Sequence, residues 1–277
     1  MTEHVHEVVF AGRLIRIGRW RLPASHPRFR DSGPTRGYLV VFPRTSAWIQ
    51  HAGGRPFVAD ANVVTFYNQH QEYTRRPIAS WGDRCDYYAI APALLRQVVG
   101  VWDPPAAGAA SRIIRFTHGP SDAHAYLAQR RVYAHVRRHA RPDALFVEET
   151  MVEVLARLLG MAYGAPRAAG AAPRDVVEHA REVLARRFAS RLTLPELAAA
   201  TGASVFHLCR TFRAATGVTI HTYRNQLRLR AALERVRDSR ADLSAVALDL
   251  GFSTHSHFTA AFRAAYGITP SAARRAM

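Results

Sequence analysis

Residues Leu192 to Arg275 contain one short unit written twice, and this feature narrows the fold of the 277-residue chain more than any other. Phe212-Arg213-Ala214-Ala215-Thr216-Gly217-Val218-Thr219 returns fifty positions later as Phe262-Arg263-Ala264-Ala265-Tyr266-Gly267-Ile268-Thr269. Upstream, Ala198, Gly202 and Ser204 return forty-nine positions later as Ala247, Gly251 and Ser253, so one residue is inserted between Gly251 and Phe262. Self-similarity at such a period marks two copies of one supersecondary unit.

Each copy reads as a helix-turn-helix. In the first, Thr193 and Glu196 have capping-box spacing, and Pro195 lies in the first turn, where a missing N–H costs nothing. Leu194, Leu197 and Ala198 give a short helix one apolar face, and Gly202 stops it in a left-handed conformation. Ser204 then caps a second helix in which Leu208, Phe212 and Ala215 recur at helical spacing, and Gly217 ends it. In the second copy the cap is Asp242 and the apolar face is Leu243, Val246 and Leu250. Gly251 makes the turn, Ser253 the next cap, and Phe258 and Phe262 the buried side. Ala245 replaces the glutamate, so that copy lacks a capping box.

With these apolar sides inward, Phe206, Cys209 and Arg210 face out in copy one and His255, Ser256 and Thr259 in copy two. They are hydrogen-bonding, stacking or methyl-contacting groups with no acid among them, which suits a major groove edged by phosphates. Ser204 and Ser253 at helix N-termini, with Arg213 and Arg263, are the expected contacts to the DNA backbone. A third helix, about Ile220 to Asp238, separates the copies and spans about 27 Å. One turn of DNA is about 34 Å, so such a rod can hold two reading helices on successive major grooves of one face. The plainer alternative is a helical-bundle binding protein with solvated Leu and Arg helices; the duplication with twin turn glycines is the more specific signal.

These residues resemble the C-terminal DNA-binding domain of AraC/XylS-family transcription regulators. The resemblance is carried by Leu197-Ala198, Gly202, Ser204, Leu208, Arg210, Phe212 and Gly217, then Arg228-Leu229-Arg230-Ala231. It continues through Val246-Ala247, Gly251-Phe252-Ser253, His257-Phe258, Phe262, Gly267 and Thr269-Pro270. It implies that Phe206, Cys209, Arg210, His255, Ser256 and Thr259 contact bases, and that the partners are double-stranded DNA and RNA polymerase, with an activating role. Ala260 stands where an arginine often reads a base in the family, and Cys209 where a longer polar side chain is common.

The formal charge of +17 and pI near 11.1 favour a polyanionic partner, nucleic acid or an anionic membrane surface. All 38 basic residues are arginine, which genome composition explains as readily as function. Residues 171–277 hold 16 Arg against 8 acidic residues and the remainder 22 against 13, so charge does not say which half binds. No apolar run approaches the length of a spanning helix, the N-terminus lacks a signal-peptide layout, and Cys85 and Cys209 suggest neither disulfide nor metal. A cytoplasmic protein without membrane contact is expected.

From Val8 to about Ala91 the periodicity is near two. Runs at Tyr38 to Phe42, Ala47 to His51, Asn62 to Tyr67 and Cys85 to Ile90 are rich in β-branched and aromatic residues, and Gly53-Gly54 reads as a hairpin turn. Short strands with regular turns imply a small barrel or double sheet. The segment resembles the cupin-like sensor domain that precedes the AraC-type domain, and such a barrel can enclose a small-molecule effector. A metal-dependent cupin enzyme needs clustered imidazoles and a carboxylate. Here His51 and His70 stand alone, no His-x-His pair lies on a predicted strand, and the Ala59-Asp60-Ala61-Asn62 turn departs from the family's glycine-containing one. No metal, cofactor or catalytic residue is expected, and no effector-binding residue is singled out.

Residues 121 to 163 return to helical spacing, with Tyr126, Leu127, Val132, Tyr133 and Val136 on one helix and Leu145, Val152, Leu155, Leu158 and Leu159 on a second. Such a pair packs on the barrel and offers a homodimer face, or serves only the intramolecular core. The expected organisation is α+β in two domains: 1–163, a cupin-like β-barrel with a helical pair for effector sensing and dimerisation; 164–173, a linker; and 174–277, an all-α domain with two helix-turn-helix motifs joined by a linker helix. The alternatives are a cupin-type enzyme with a DNA-binding tail, and a regulator whose N-terminal domain only oligomerises.

Overall fold

The computed structural model describes residues 6–27, 29–30, 33–164, 174–236 and 242–276. Two compact units meet in sequence between Ala165 and Pro166. The expected linker residues from 165 to 173 lie outside the described residues, as do Arg237 and Asp238 at the expected end of the long rod.

The N-terminal unit opens with strands β1 His6–Ala11, β2 Ile15–Leu22, β3 Tyr38–Pro43, β4 Ala47–His51, β5 Phe57–Ala59, β6 Val63–Tyr67, β7 Tyr73–Pro77 and β8 Asp83–Ile90. Helices α1 Pro92–Gly100 and α2 Pro104–Ala107, strand β9 His118–Pro120, and helices α3 Ala123–Arg138 and α4 Ala144–Gly164 follow. The strands form two antiparallel sheets, one of six in the order β1-β2-β8-β3-β6-β9 and one of three in the order β5-β4-β7. Among the described residues neither sheet closes on itself, so the arrangement shown is a double sheet. The chain changes sheet four times, after Pro43, Ala59, Tyr67 and Pro77, and in the turn after Ala59 Asp60 accepts the Asn62 N–H at 2.8 Å.

β6 is buried along its whole length because both of its faces are covered. On one side Val63 joins Ala47, Ile49, Phe57 and Ala59 of the small sheet in one apolar cluster. On the other side the helical pair packs on the large sheet. Tyr88 of β8 donates to the Gln129 carbonyl of α3 at 3.1 Å, and the buried Arg130 of α3 meets Asp86 of β8 at 2.6 Å. In α4 the buried stripe is Val147, Met151, Val154, Leu155, Leu158, Leu159 and Ala162. Leu145, expected on the apolar side, is 75% exposed, and Phe146 beside it 41%.

The C-terminal unit is helical: α5 Arg174–Arg187, α6 Leu194–Thr201, α7 Val205–Thr216, α8 Ile220–Arg235, α9 Leu243–Asp249, α10 His255–Tyr266 and α11 Pro270–Ala276. α8 is described over 16 residues, about 24 Å. Its arginines are not simply solvated. Arg230 is only 2% exposed, and Arg224 donates to the carbonyls of Phe188, Ser190 and Leu192, tying α8 to the segment between α5 and α6. Among the described residues no helix is long and apolar enough to cross a membrane, and both cysteines are free thiols.

Candidate nucleic-acid interface

The two motifs are built from the same local devices. Thr193 and Glu196 form the full capping box at the start of α6, each satisfying the other's backbone N–H. Gly202 and Gly251 both adopt left-handed φ, +66° and +82°, where a side chain would be strained. Each turn closes with a backbone hydrogen bond reaching five residues back, Ala203 N–H to the Ala198 carbonyl at 3.1 Å and Phe252 N–H to the Ala247 carbonyl at 3.0 Å. That is the Schellman pattern, and its recurrence fixes the same turn in both copies.

The copies differ after the turn. Ser204 caps α7 by accepting the His207 N–H at 3.2 Å, as expected. In copy two the cap is Thr254, which accepts the His257 N–H at 3.1 Å, and not Ser253. The inserted residue explains the change: it lies between Gly251 and the helix, so the capping hydroxyl moves one place on. Ser253 instead hydrogen bonds the His257 ring Nδ1 at 3.2 Å.

α7 turns Leu208, Thr211 and Phe212 inward, and Phe212 packs edge-on against Tyr223 of α8 at 5.3 Å. Ala215, expected in that core, is exposed, and Leu194 of α6 is 42% exposed. α10 turns Phe258, Phe262 and Tyr266 inward. On the opposite face of α7, Phe206 is 75% exposed and Arg210 is exposed, its guanidinium 5.9 Å over the Phe206 ring; Cys209 is half-buried and Arg213 exposed. On α10, His255 and Ser256 are exposed. Thr259 is half-buried with its hydroxyl oxygen inside and unpartnered among the described residues, which leaves the methyl as its outward part. His255, Ser256, Thr259, Ala260, Arg263 and Thr269 line a common depression. Neither α7 nor α10 contains an acidic residue, and each begins with free amide donors at its positive end. Ala260, already marked in the sequence as standing where the family often has an arginine, lies on the depression's face by its i, i+4 spacing from Ser256, whereas Thr269 joins the lining from beyond the end of α10 with no local pattern to announce it.

In the N-terminal unit His51 and His70 separate. His51 is 4% exposed, its Nε2 has no hydrogen-bond partner among the described residues, and its ring lies 4.7 Å from Tyr67. His70 is exposed, in a turn with φ +59°. Among the described residues no three His, Cys, Asp or Glu side chains converge as metal ligands.

The helix-turn-helix domain family matches residues 197–276. The bifunctional transcriptional activator/DNA repair enzyme AdaA of Bacillus subtilis (strain 168) is 29% identical over 94 residues, 34% of this chain and 44% of that protein. The uncharacterized HTH-type transcriptional regulator YbfI of the same organism is 34% identical over 85 residues, 31% of this chain and 30% of that protein. The C-terminal unit carries a helix-turn-helix domain. The chain spans less than half the length of these two relatives, and the AdaA likeness falls on the helix-turn-helix region alone. A solved AraC-type transcriptional regulator from Chromobacterium violaceum is similar to 38% of the chain over 95% of its own length, at 24% identity and TM-score 0.36. ToxT from Vibrio cholerae O395, bound to (E)-4-(8-methylnaphthalen-1-yl)but-3-enoic acid, aligns with 95% of the chain over 99% of its own, at 10% identity and TM-score 0.39.

Proposed function

We propose that this protein is a sequence-specific DNA-binding transcription regulator that lays α7 and α10 in successive major grooves of one DNA face. The observation that carries the reading is the duplication itself: two motifs with the same turn closure, each presenting an acid-free outer face, both packed on the one helix α8. Base reading falls to Phe206, Cys209 and Arg210 on α7 and to His255, Ser256 and Thr259 on α10. Arg213, Arg263 and the N-termini capped by Ser204 and Thr254 hold the phosphates and set register. Ser253, one place outside the cap, reaches a phosphate only through its own hydroxyl.

The proposal extends to activation through RNA polymerase in the cytoplasm, with the N-terminal unit sensing a small molecule. A ligand changes transcription only through different affinities for two arrangements of the protein. A feature of this unit that suits a ligand is the buried Nε2 of His51, which has no hydrogen-bond partner among the described residues and lies among aromatic rings. The exposed Leu145 and Phe146 at the start of α4 suit a homodimer contact.

Selection of preferred sites from random DNA with the purified protein, followed by two substitutions, tests the reading. Arg210→Ala is expected to cost about 1 to 3 kcal/mol on the selected site and to relax one base position. Arg263→Ala is expected to weaken all sequences alike and to lower the salt slope by about 1. Failure of any sequence to be enriched sinks the proposal; equal losses on specific and random DNA for Arg210→Ala reassign that residue to the backbone.

A further inference from the structure

We propose that Arg228 is a positioning residue that locks the two reading helices to one another, and thereby sets how strictly the protein enforces the spacing between two DNA elements. The inference rests on two-groove reading. Arg228 lies on α8 between the motifs, and its Nε donates to the Phe188 carbonyl at 2.7 Å, in the segment that leads into the first motif. The same guanidinium stands 5.8 Å from the centroid of the Phe252 ring, in the turn of the second motif. Phe252 is buried and packs on α10, with its ring 5.2 Å from Phe258 and 5.7 Å from His257. One side chain therefore connects a carbonyl before α6 to a ring that carries α10.

The backbone makes room for this joint. A Cβ on Gly251 would lie 2.7 Å from Arg228 Nη2 and collide with the Ala189 carbonyl oxygen, so the two motifs meet here main chain against main chain. An arginine suits the place because its planar guanidinium gives an N–H edge to a carbonyl and a face to a ring at once, which an ammonium cannot do. Burial, then the neighbouring Arg224, lower its pKa to about 10, which still leaves it charged near neutrality. The other joints each serve one motif. Arg224 reaches the same segment before α6, Tyr223 holds α7 to α8 through Phe212, and Arg235 reaches Asp249 of α9 at 3.1 Å in an exposed, salt-screened pair.

The test uses the full-length protein on its selected two-element site, on versions with one base pair added or removed between elements, and on single-element sites. The wild type is expected to lose about tenfold or more when the spacing changes, the scale of coupling between groups in contact. Arg228→Lys, Arg228→Ala and Phe252→Leu are expected to bind single elements as the wild type does, to bind the native spacing about tenfold more weakly, and to become indifferent to the added base pair. Arg235→Ala is expected to keep the strict spacing. Thermal melts identify any variant that fails to fold, and Phe252→Leu, which keeps the position apolar while removing the ring that faces Arg228, is a second route to the same question. A wild type that ignores spacing overturns two-groove reading and this inference with it. A strict wild type with equally strict variants overturns the role of Arg228 alone, as does an equal loss on single elements and paired ones.

Discussion

Burial in an aromatic setting, and then Arg112, hold the His51 imidazole at a pKa of about 4 against an ordinary 6.5. Between those values the unfolded chain binds the extra proton and the folded chain does not, so stability falls as pH drops from about 6.5 to about 4. Relative to His51→Leu, the wild type is expected to lose about 2 kcal/mol more between pH 7 and pH 5, read from denaturant midpoints. Parallel pH profiles of the two proteins would remove His51 from that role. Sequence alone left His51 and His70 equivalent, as core or solvated imidazoles. The signal that separates them is strand alternation: Ala47, Ile49 and His51 share one face of β4, and that face is the buried one. Side-chain identity on α7 and α10 was legible because helical spacing around Phe212 and Phe262 fixes which residues point away. The half-burial of Cys209 and Thr259 was not, since it depends on how neighbouring helices crowd the flanks of the outer face.

Helices with strong caps and glycine stops were readable almost to the residue, as α6 and α7 show. The start of α10 was not, because Ser253 and Thr254 are both competent caps and only the geometry of the longer turn selects between them. Thr254→Ala is therefore expected to cost about 1 kcal/mol of stability, while Ser253→Ala costs only a few tenths. Chemical denaturation of the two variants checks this, and the reverse order would restore Ser253 as the cap. In the N-terminal unit the strands at 38–43, 47–51, 63–67 and 83–90 followed from alternation and β-branched runs. Sheet closure did not, because it is decided by which edges pair, and no local pattern encodes that for distant strands such as β1 and β9. β9, three residues including Gly119 and Pro120, carries too little pattern to be found. α1 does carry one: Pro92 opens it, and Leu94 with Val98 and Leu95 with Val99 repeat at i, i+4.

The division between Ala165 and Pro166 separates two units that each have their own buried core, in the second of which Leu184, Leu208, Phe212, Leu233, Phe258 and Phe262 are fully covered. A unit with its own core is able to fold alone. Residues 166–277 are therefore expected to fold cooperatively and, as a monomer, to rank DNA sequences as the full chain does. Net charge cannot make that assignment, because the excess of arginine is nearly equal in the two parts of the chain. Salt dependence can. Each phosphate neutralised contributes about 0.9 to the slope of log K against log salt on duplex DNA. If only the helical unit touches DNA, fragment and full-length monomer share one slope across a titration from about 50 to 200 mM salt. A steeper slope for the full chain would place arginines of the sheet-bearing unit on the phosphates, and a fragment that binds all sequences alike would show that the two motifs do not suffice for reading.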